Sequence, residues 1–409
     1  MNPPSAAGGA APSSTTPPHG VTPPAHPGGS GVFAELVGQQ AVVEQLESAV
    51  RSGAPTHAWL FTGPPGSGRS NAARAFAAAL NCESLGCGDC HSCRLVATGS
   101  HPAVSLVSTE NVSYRIEDVR QLITTAQDRP QGYRWRVIVV EDADRMTERA
   151  TNVLLKAIEE PPPRTVWVLC APSPADVLVT IRSRCRHVSL RIPPTEAVAE
   201  LLIRRDGLSP DRAEFAARVS QNHIGVARRL ATDADARTRR EETVSLPLEV
   251  RSASQAIVAA ARLVSMAQAD AASESDARLA EEQASLRRSL GLEPEEKVPA
   301  KLRAQFKRLE DEAGRRAKRA VTDSLDRTLI DLTAVYRDVL SLKLATGVDL
   351  INEHLRRQLT ELAEDLSPEQ ALACLDALNT SRIRITQNVP PALAMEALMM
   401  QLIPRRPRG

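Results

Sequence analysis

The chain has 409 residues, enough for two or three domains, and 42% of them are hydrophobic. Aromatics make up only 3%, so its cores must be built from Ala, Val, Leu and Ile. A net charge of +1 excludes a global pull toward nucleic acid or membrane and leaves any DNA contact to local patches or partners.

Residues 1–32 contain no Lys or Arg and are mostly Pro, Gly, Ala, Ser and Thr. That composition predicts a disordered tail, with neither the basic start nor the apolar stretch of a secretory leader. No apolar run reaches the roughly 18 residues of a membrane span, so the protein is expected to be cytoplasmic. Seven Cys in that setting suggest a metal site or buried thiols rather than disulfides.

From 33 to 192 strands and helices alternate. His57–Gly63 reads as a buried strand and Ser70–Leu80 as the Ala-rich helix after it. Val104–Val107 is a second strand, and Ile116–Asp128 has helical spacing at Val119, Leu122 and Ile123. Arg136–Val140 is a continuous apolar run of the central parallel kind. Arg149–Glu159 is a helix stopped by Pro161, Pro162 and Pro163. Val166–Cys170 and His187–Ile192 are the last strands. This rhythm predicts an α/β unit, a parallel sheet with helices on both faces. After Pro193 and Pro194 the pattern is all-helical: a small unit over 193–245, then a larger one over 246–405. Within the latter, 271–319 is Ala-rich and highly charged and reads as a solvated helical pair. Leu325, Leu329, Leu332, Tyr336, Val339 and Leu340 share a helix face and are expected in the core. The terminal RRPRG is a short basic tail.

Three groups of residues carry chemistry. Gly63, Pro64, Pro65, Gly66, Ser67, Gly68, Arg69 and Ser70 follow G-x-x-x-x-G-K-[ST] except at one position. Such a loop cradles phosphates with backbone N–H groups at a helix start. Arg69 stands where a Lys should reach the β- and γ-phosphates, and a planar fork does not replace a point charge on a flexible stem. ATP and Mg²⁺ binding is therefore expected to be weak or to lack turnover.

Glu141 and Asp142 end the 136–140 strand, where carboxylates meet a phosphate-bound Mg²⁺. The usual order is Asp then Glu. The inverted order shifts each charge by about 1 Å, and a misplacement of that size costs about 10²-fold in rate. The same acids also suit the cap of the next helix. Cys82, Cys87, Cys90 and Cys93 have the spacing of a closed tetrahedral site, hence structural Zn²⁺, with an iron–sulfur cluster as the alternative. His91 lies inside that loop and is expected to face solvent; Cys170, Cys185 and Cys374 are isolated and expected to be buried.

These segments together resemble the delta-prime family of bacterial DNA polymerase III clamp-loader subunits, in the AAA+ class. The resemblance rests on Val37-Gly38-Gln39-Gln40, HAWLFTGPPGSGRS, the four-Cys insertion, the stretch from Glu141 through Pro172 and TIRSRCRHV. Within that stretch, Asn152 through Pro162 matches N-x-L-L-K-x-x-E-E-P-P. It is specific over about 33–235 and thinner beyond, where it rests on RDVLSLKLA and QNVPPALAMEALMMQL. It implies an AAA+ module over 33–192 with a zinc-binding insertion at 82–93, a helical lid over 193–245 and a helical collar over 246–405. Position by position, it implies that Gly63 to Ser70 are the P-loop and Glu141 and Asp142 the Walker B pair. Ser173 is placed near sensor 1, and Arg228 in Gly225-Val226-Ala227-Arg228 as the sensor-2 arginine. Arg184 in Ser183-Arg184-Cys185 becomes an arginine finger acting in trans on a neighbouring tau/gamma subunit. The implied partners are tau/gamma and delta subunits, with the sliding clamp and primed DNA reached through the complex. The departures at Arg69, Glu141 and Asp142 fit a stator that turns over little ATP itself. Two rivals stay open: an ATP-hydrolysing motor of the tau/gamma type, and a zinc-bearing scaffold with a vestigial nucleotide site.

Overall fold

The computed structural model describes residues 31–109, 113–127, 132–290, 292–293, 297–299, 301–387 and 389–404. Residues 1–30 of the expected tail, Asp128 and the terminal RRPRG lie outside them.

Five short strands form one parallel sheet: β1 (Ala58–Thr62), β2 (Val104–Val107), β3 (Arg136–Val140), β4 (Thr165–Ala171) and β5 (Arg186–Ser189). Their order is β2-β3-β4-β1-β5. The register pairs Leu60 with Leu169, and Val139 with Val168. β1, β3 and β4 are buried at every position, because helices cover both faces and leave no polar side for alternation.

One face packs on α1 (Gln40–Arg51), α2 (Arg69–Asn81) and α3 (His91–Ala97). There Trp59 meets Phe76 edge-on at 4.9 Å between ring centroids, so three of the few aromatics, with Phe61, build one knot. The other face, with Leu60, Ile138 and Leu169, packs on α4 (Ile116–Gln127) and α5 (Glu148–Glu159). A one-turn helix, α6 (Val179–Arg182), leads into β5.

The remainder is helical. A small core joins α7 (Thr195–Asp206), α8 (Pro210–Val219) and α9 (Ile224–Thr232). A larger one gathers α10 (Ala234–Glu249), α11 (Ala253–Ser289), α12 (Arg303–Lys343), α13 (Arg356–Asp365), α14 (Pro368–Thr386) and α15 (Pro391–Gln401). The architecture is thus a parallel α/β module followed by all-α units.

Four expectations need correction. Gly31 to Phe33 form a 3-10 turn rather than the end of a tail, and the Val32 N–H donates to Gly86 O at 2.9 Å in the Cys loop. The last strand stops at Ser189, short of Ile192: the Arg191 N–H bonds the Gln39 side chain at 3.2 Å, and Pro193 and Pro194 have no donors. The charged stretch 271–319 is a helical pair as expected, formed by the outer halves of α11 and α12, with Arg316 of α12 paired to Glu282 of α11. Leu340 is only half-buried at the edge of the α12 stripe, while Val335 is fully buried. Cys185 is likewise half-buried, whereas Cys170 and Cys374 are buried.

Candidate functional site

The carboxyl ends of β1, β3 and β4 lie along one edge, the usual ligand edge of an open parallel sheet. The 63–70 loop leaves β1 and enters α2 there. Gly66 and Gly68 have φ of 88° and 86°, left-handed values that a side chain would strain. The loop is closed by its own bonds. Ser67 N–H donates to Pro64 O at 3.0 Å, and Gly63 N–H to Pro172 O at 3.2 Å. The Ser67 hydroxyl is buried and has no hydrogen-bond partner among the described residues.

The side chains around this loop are engaged with the protein itself. Arg69 folds back, its Nη1 donating to Gly63 O at 2.6 Å. A Cβ placed on Gly66 would meet the His223 ring at 3.0 Å, so the start of α9 lies directly on the loop. Gln221 and Asn222, at φ of 53° and 65°, make the left-handed turn that delivers His223, and its Nδ1 caps α9 by accepting from Val226 N–H. Burial, with Arg327 nearby, holds the His223 imidazole below its ordinary value.

The two acids are also occupied. Glu141 Oε1 accepts from Arg74 of α2 at 3.2 Å. Asp142 has φ of 54°, a left-handed conformation that Asp tolerates better than most residues. Its Oδ2 accepts from Arg319 Nη2 of α12 at 2.8 Å, and Arg145 lies 3.9 Å away. Arg319 also donates to Thr109 O. The Tyr114 hydroxyl, 2.6 Å from Glu141 O, is pushed up by burial and by both carboxylates. Asp144 is raised by burial, and its Oδ1 is buried without a hydrogen-bond partner among the described residues. The backbone cradle persists, but these side-chain pairings do not fit a Mg²⁺-triphosphate: the loop cation and both acids already have intramolecular partners.

Ser173 follows β4 at the same edge, between the loop and the acids, and its Oγ accepts from Ala175 N–H at 3.2 Å. Arg228 is not brought to the loop by any contact among the described residues. Its Nε donates to Asp206 of α7 at 3.0 Å. Arg184 lies beyond α6, exposed, with Nε 2.6 Å from Glu159 Oε1.

The four cysteines do converge. Cys82 follows α2, Cys90 caps α3 and Cys93 lies in its first turn; left-handed Leu85, Gly86 and Gly88 bend the loop that carries Cys87. All four Sγ atoms lie within 4.8 Å of one another. The Cys82 Sγ is 3.6 Å from that of Cys87 and 3.7 Å from that of Cys90. A zinc tetrahedron with bonds of about 2.3 Å has edges of about 3.8 Å, so the donor set fits a tetrahedral metal. Burial raises the Cys82 thiol, but hydrogen bonds from the backbone of Cys87, Gly86 and Ser84 outweigh it and bring the thiol down to about 7. His91 is exposed and outside the cluster.

Sequence reasoning missed His223, Arg74, Arg319 and Glu159. Only the last lies inside a recognisable motif; the others meet the site through contacts that no local pattern announces.

The strand order, 5-1-4-3-2 from one edge, with the phosphate loop after the second of these and acids after the fourth, defines an AAA+ module. Residues 38–194 match the family described as "DNA polymerase III, delta subunit". The module is similar to that of DNA polymerase III subunits. Over 191 residues the chain is 36% identical to DNA polymerase III subunit gamma/tau of Mycobacterium tuberculosis (strain ATCC 25618 / H37Rv), covering 45% of this chain and 33% of that one. Over 175 residues it is 33% identical to DNA polymerase III subunit tau of Escherichia coli (strain K12), covering 42% and 27%. The chain thus spans about a third of the length of the curated relatives it matches. A gamma subunit-related protein from Thermotoga maritima superposes with a TM-score of 0.43 at 17% identity, over 88% of this chain and 98% of that one. Among the described residues, no helix is long and apolar enough to cross a membrane.

Proposed function

We propose that this chain is a delta-prime-type, stator-like subunit of a DNA polymerase III clamp loader. It turns over little or no ATP itself. It offers Arg184 to ATP held by an adjacent tau/gamma-type subunit and packs against its partners, delta among them, through the helices of 246–405. The assembled complex uses that ATP to open a sliding clamp and place it on primed DNA. Cys82, Cys87, Cys90 and Cys93 hold a structural zinc ion, and Ser173 and Arg228 retain sensor positions without a working nucleotide site between them.

The observation that carries this reading is the Arg69–Gly63 contact: the side chain meant to reach the phosphates is consumed inside its own loop. The experiment is ATP binding and hydrolysis by the purified chain, alone and mixed with tau/gamma-type and delta-type subunits. No turnover alone, with turnover in the mixture that depends on Arg184, supports the stator. One observation favours a motor instead, since the curated relatives are gamma/tau and tau subunits. Turnover by the chain alone, abolished by Arg69→Ala, would establish that reading.

A further inference from the structure

We propose that Glu159 is the positioning residue for Arg184, a role that rests on the reading of Arg184 just given. Glu159 is the last residue of α5. A carboxylate there faces the partial negative charge of the helix carbonyl end and is disfavoured unless a cation joins it. Arg184 supplies that cation, with Nε 2.6 Å from Glu159 Oε1.

The remaining contacts fix which way the fork faces. Arg184 Nη1 donates to Thr180 O at 2.9 Å and lies 3.3 Å from Ser183 Oγ. Two of the three guanidinium nitrogens are thereby committed to this chain. Among the described residues Nη2 makes no hydrogen bond, and the side chain is 40% exposed. A planar fork tied by the Glu159 ion pair and by hydrogen bonds from Nη1 has reduced freedom, which leaves the outer N–H of Nη2 as its unspent donor.

That arrangement suits an anionic phosphoryl group arriving from outside the chain. A free arginine would have to be ordered at each encounter; a pinned one is ordered beforehand, and preorganised donors act without that reorganisation. Glu159 sits at the Nε edge of the fork, which it shares with one N–H of Nη2, and so leaves the outer N–H of Nη2 for the incoming phosphate. Arg69 shows the opposite outcome, since its pairing partner lies in the very loop the side chain would have to leave.

The test uses the full reconstituted complex with Glu159→Ala, Arg184→Ala and the double variant, reading kcat and KM for ATP. Alanine is the best helix former, so the end of α5 is kept. We expect Glu159→Ala to lower kcat about 3- to 10-fold with KM little changed, the loss of one exposed pair plus looser orientation. In the Arg184→Ala background it should have no further effect. Wild-type kcat in Glu159→Ala overturns the inference, and so does a rise in turnover, which would make the pair a latch. A loss that persists in the Arg184→Ala background also overturns it, because that loss would be structural. Wild-type turnover in Arg184→Ala sinks the finger itself and is a separate result.

Discussion

Arg69 and Arg184 are the same side chain at two corners of one sheet, and their neighbours give them opposite fates. At the first corner the loop cation and both strand-end acids find internal partners: Arg69 with Gly63 O, Glu141 with Arg74, Asp142 with Arg319. At the second, Arg184 is fastened by Glu159 and Thr180 O and still presents a donor to solvent. A motif position therefore says little until the other ends of its hydrogen bonds are known. What separates a silent site from an available one is the direction in which the unspent donor points.

The largest effect should come at the second corner. Arg184→Ala should lower ATP turnover of the reconstituted complex about 10³-fold, the low end for a trans-acting arginine. The melting midpoint of the isolated chain should stay put, since the residue is exposed. Turnover within twofold of wild type would erase the contrast between the corners.

The first corner is braced at a distance. α2 begins at Arg69 and ends beside Cys82, so loosening the cysteine cluster loosens the far end of the loop helix. Cys87→Ser, or a strong chelator, should release about one zinc per chain by elemental analysis and lower the melting midpoint by more than about 5 °C. Full-strength melting without metal would break that link.

Arg319→Ala removes a partly buried ion pair and should cost about 1 kcal/mol, or about 2–4 °C in melting midpoint. Asp142→Ala should add little in the same background, because the two act as one unit. Additive losses would show that they are independent. Arg69→Lys tests whether the loop alone is blunted: we expect about tenfold tighter binding of a fluorescent ATP analogue and still no turnover, since the acids stay occupied. Turnover in that variant would move the chain toward a motor.

The smallest effect concerns pH. His223 has a folded value depressed below its ordinary 6.5, so the unfolded chain takes up the proton first as pH falls. Its contribution is complete above about pH 6.5 and is lost as pH falls through the lower folded value. The drop in melting midpoint between about pH 7.5 and pH 5.5 should be smaller in His223→Asn, which keeps a helix-capping side chain. An equal drop would place the acid sensitivity elsewhere.

Much of this could be read from the chain alone because it is local. The apolar run at 136–140, the glycine spacing at 63–70 and the cysteine spacing at 82–93 each declare an element within a dozen residues. The occupants of the nucleotide corner could not be read that way. Arg319 meets Asp142 across 177 positions, and Arg74 meets Glu141 across 67. Exposed-looking charges carry no period that announces a distant partner, so 271–319 read as a solvated pair although its last residue reaches the sheet. The fate of Arg228 was hidden likewise, because Asp206 lies 22 positions away on another helix of the same unit.

The length of α12 has a mechanical consequence. It is one unbroken rod from Arg303 to Lys343, rooted in the helical core at Leu325, Leu329 and Tyr336 and touching the sheet module at Arg319. Tyr336 and Arg319 are separated by about 25 Å along the axis at 1.5 Å per residue. A tilt of roughly 5° about the rooted end would carry the Arg319 backbone about 2 Å sideways, enough to part a hydrogen bond. The Arg319–Asp142 contact is therefore a strain gauge: it registers small tilts of α12 at the acid that ends β3.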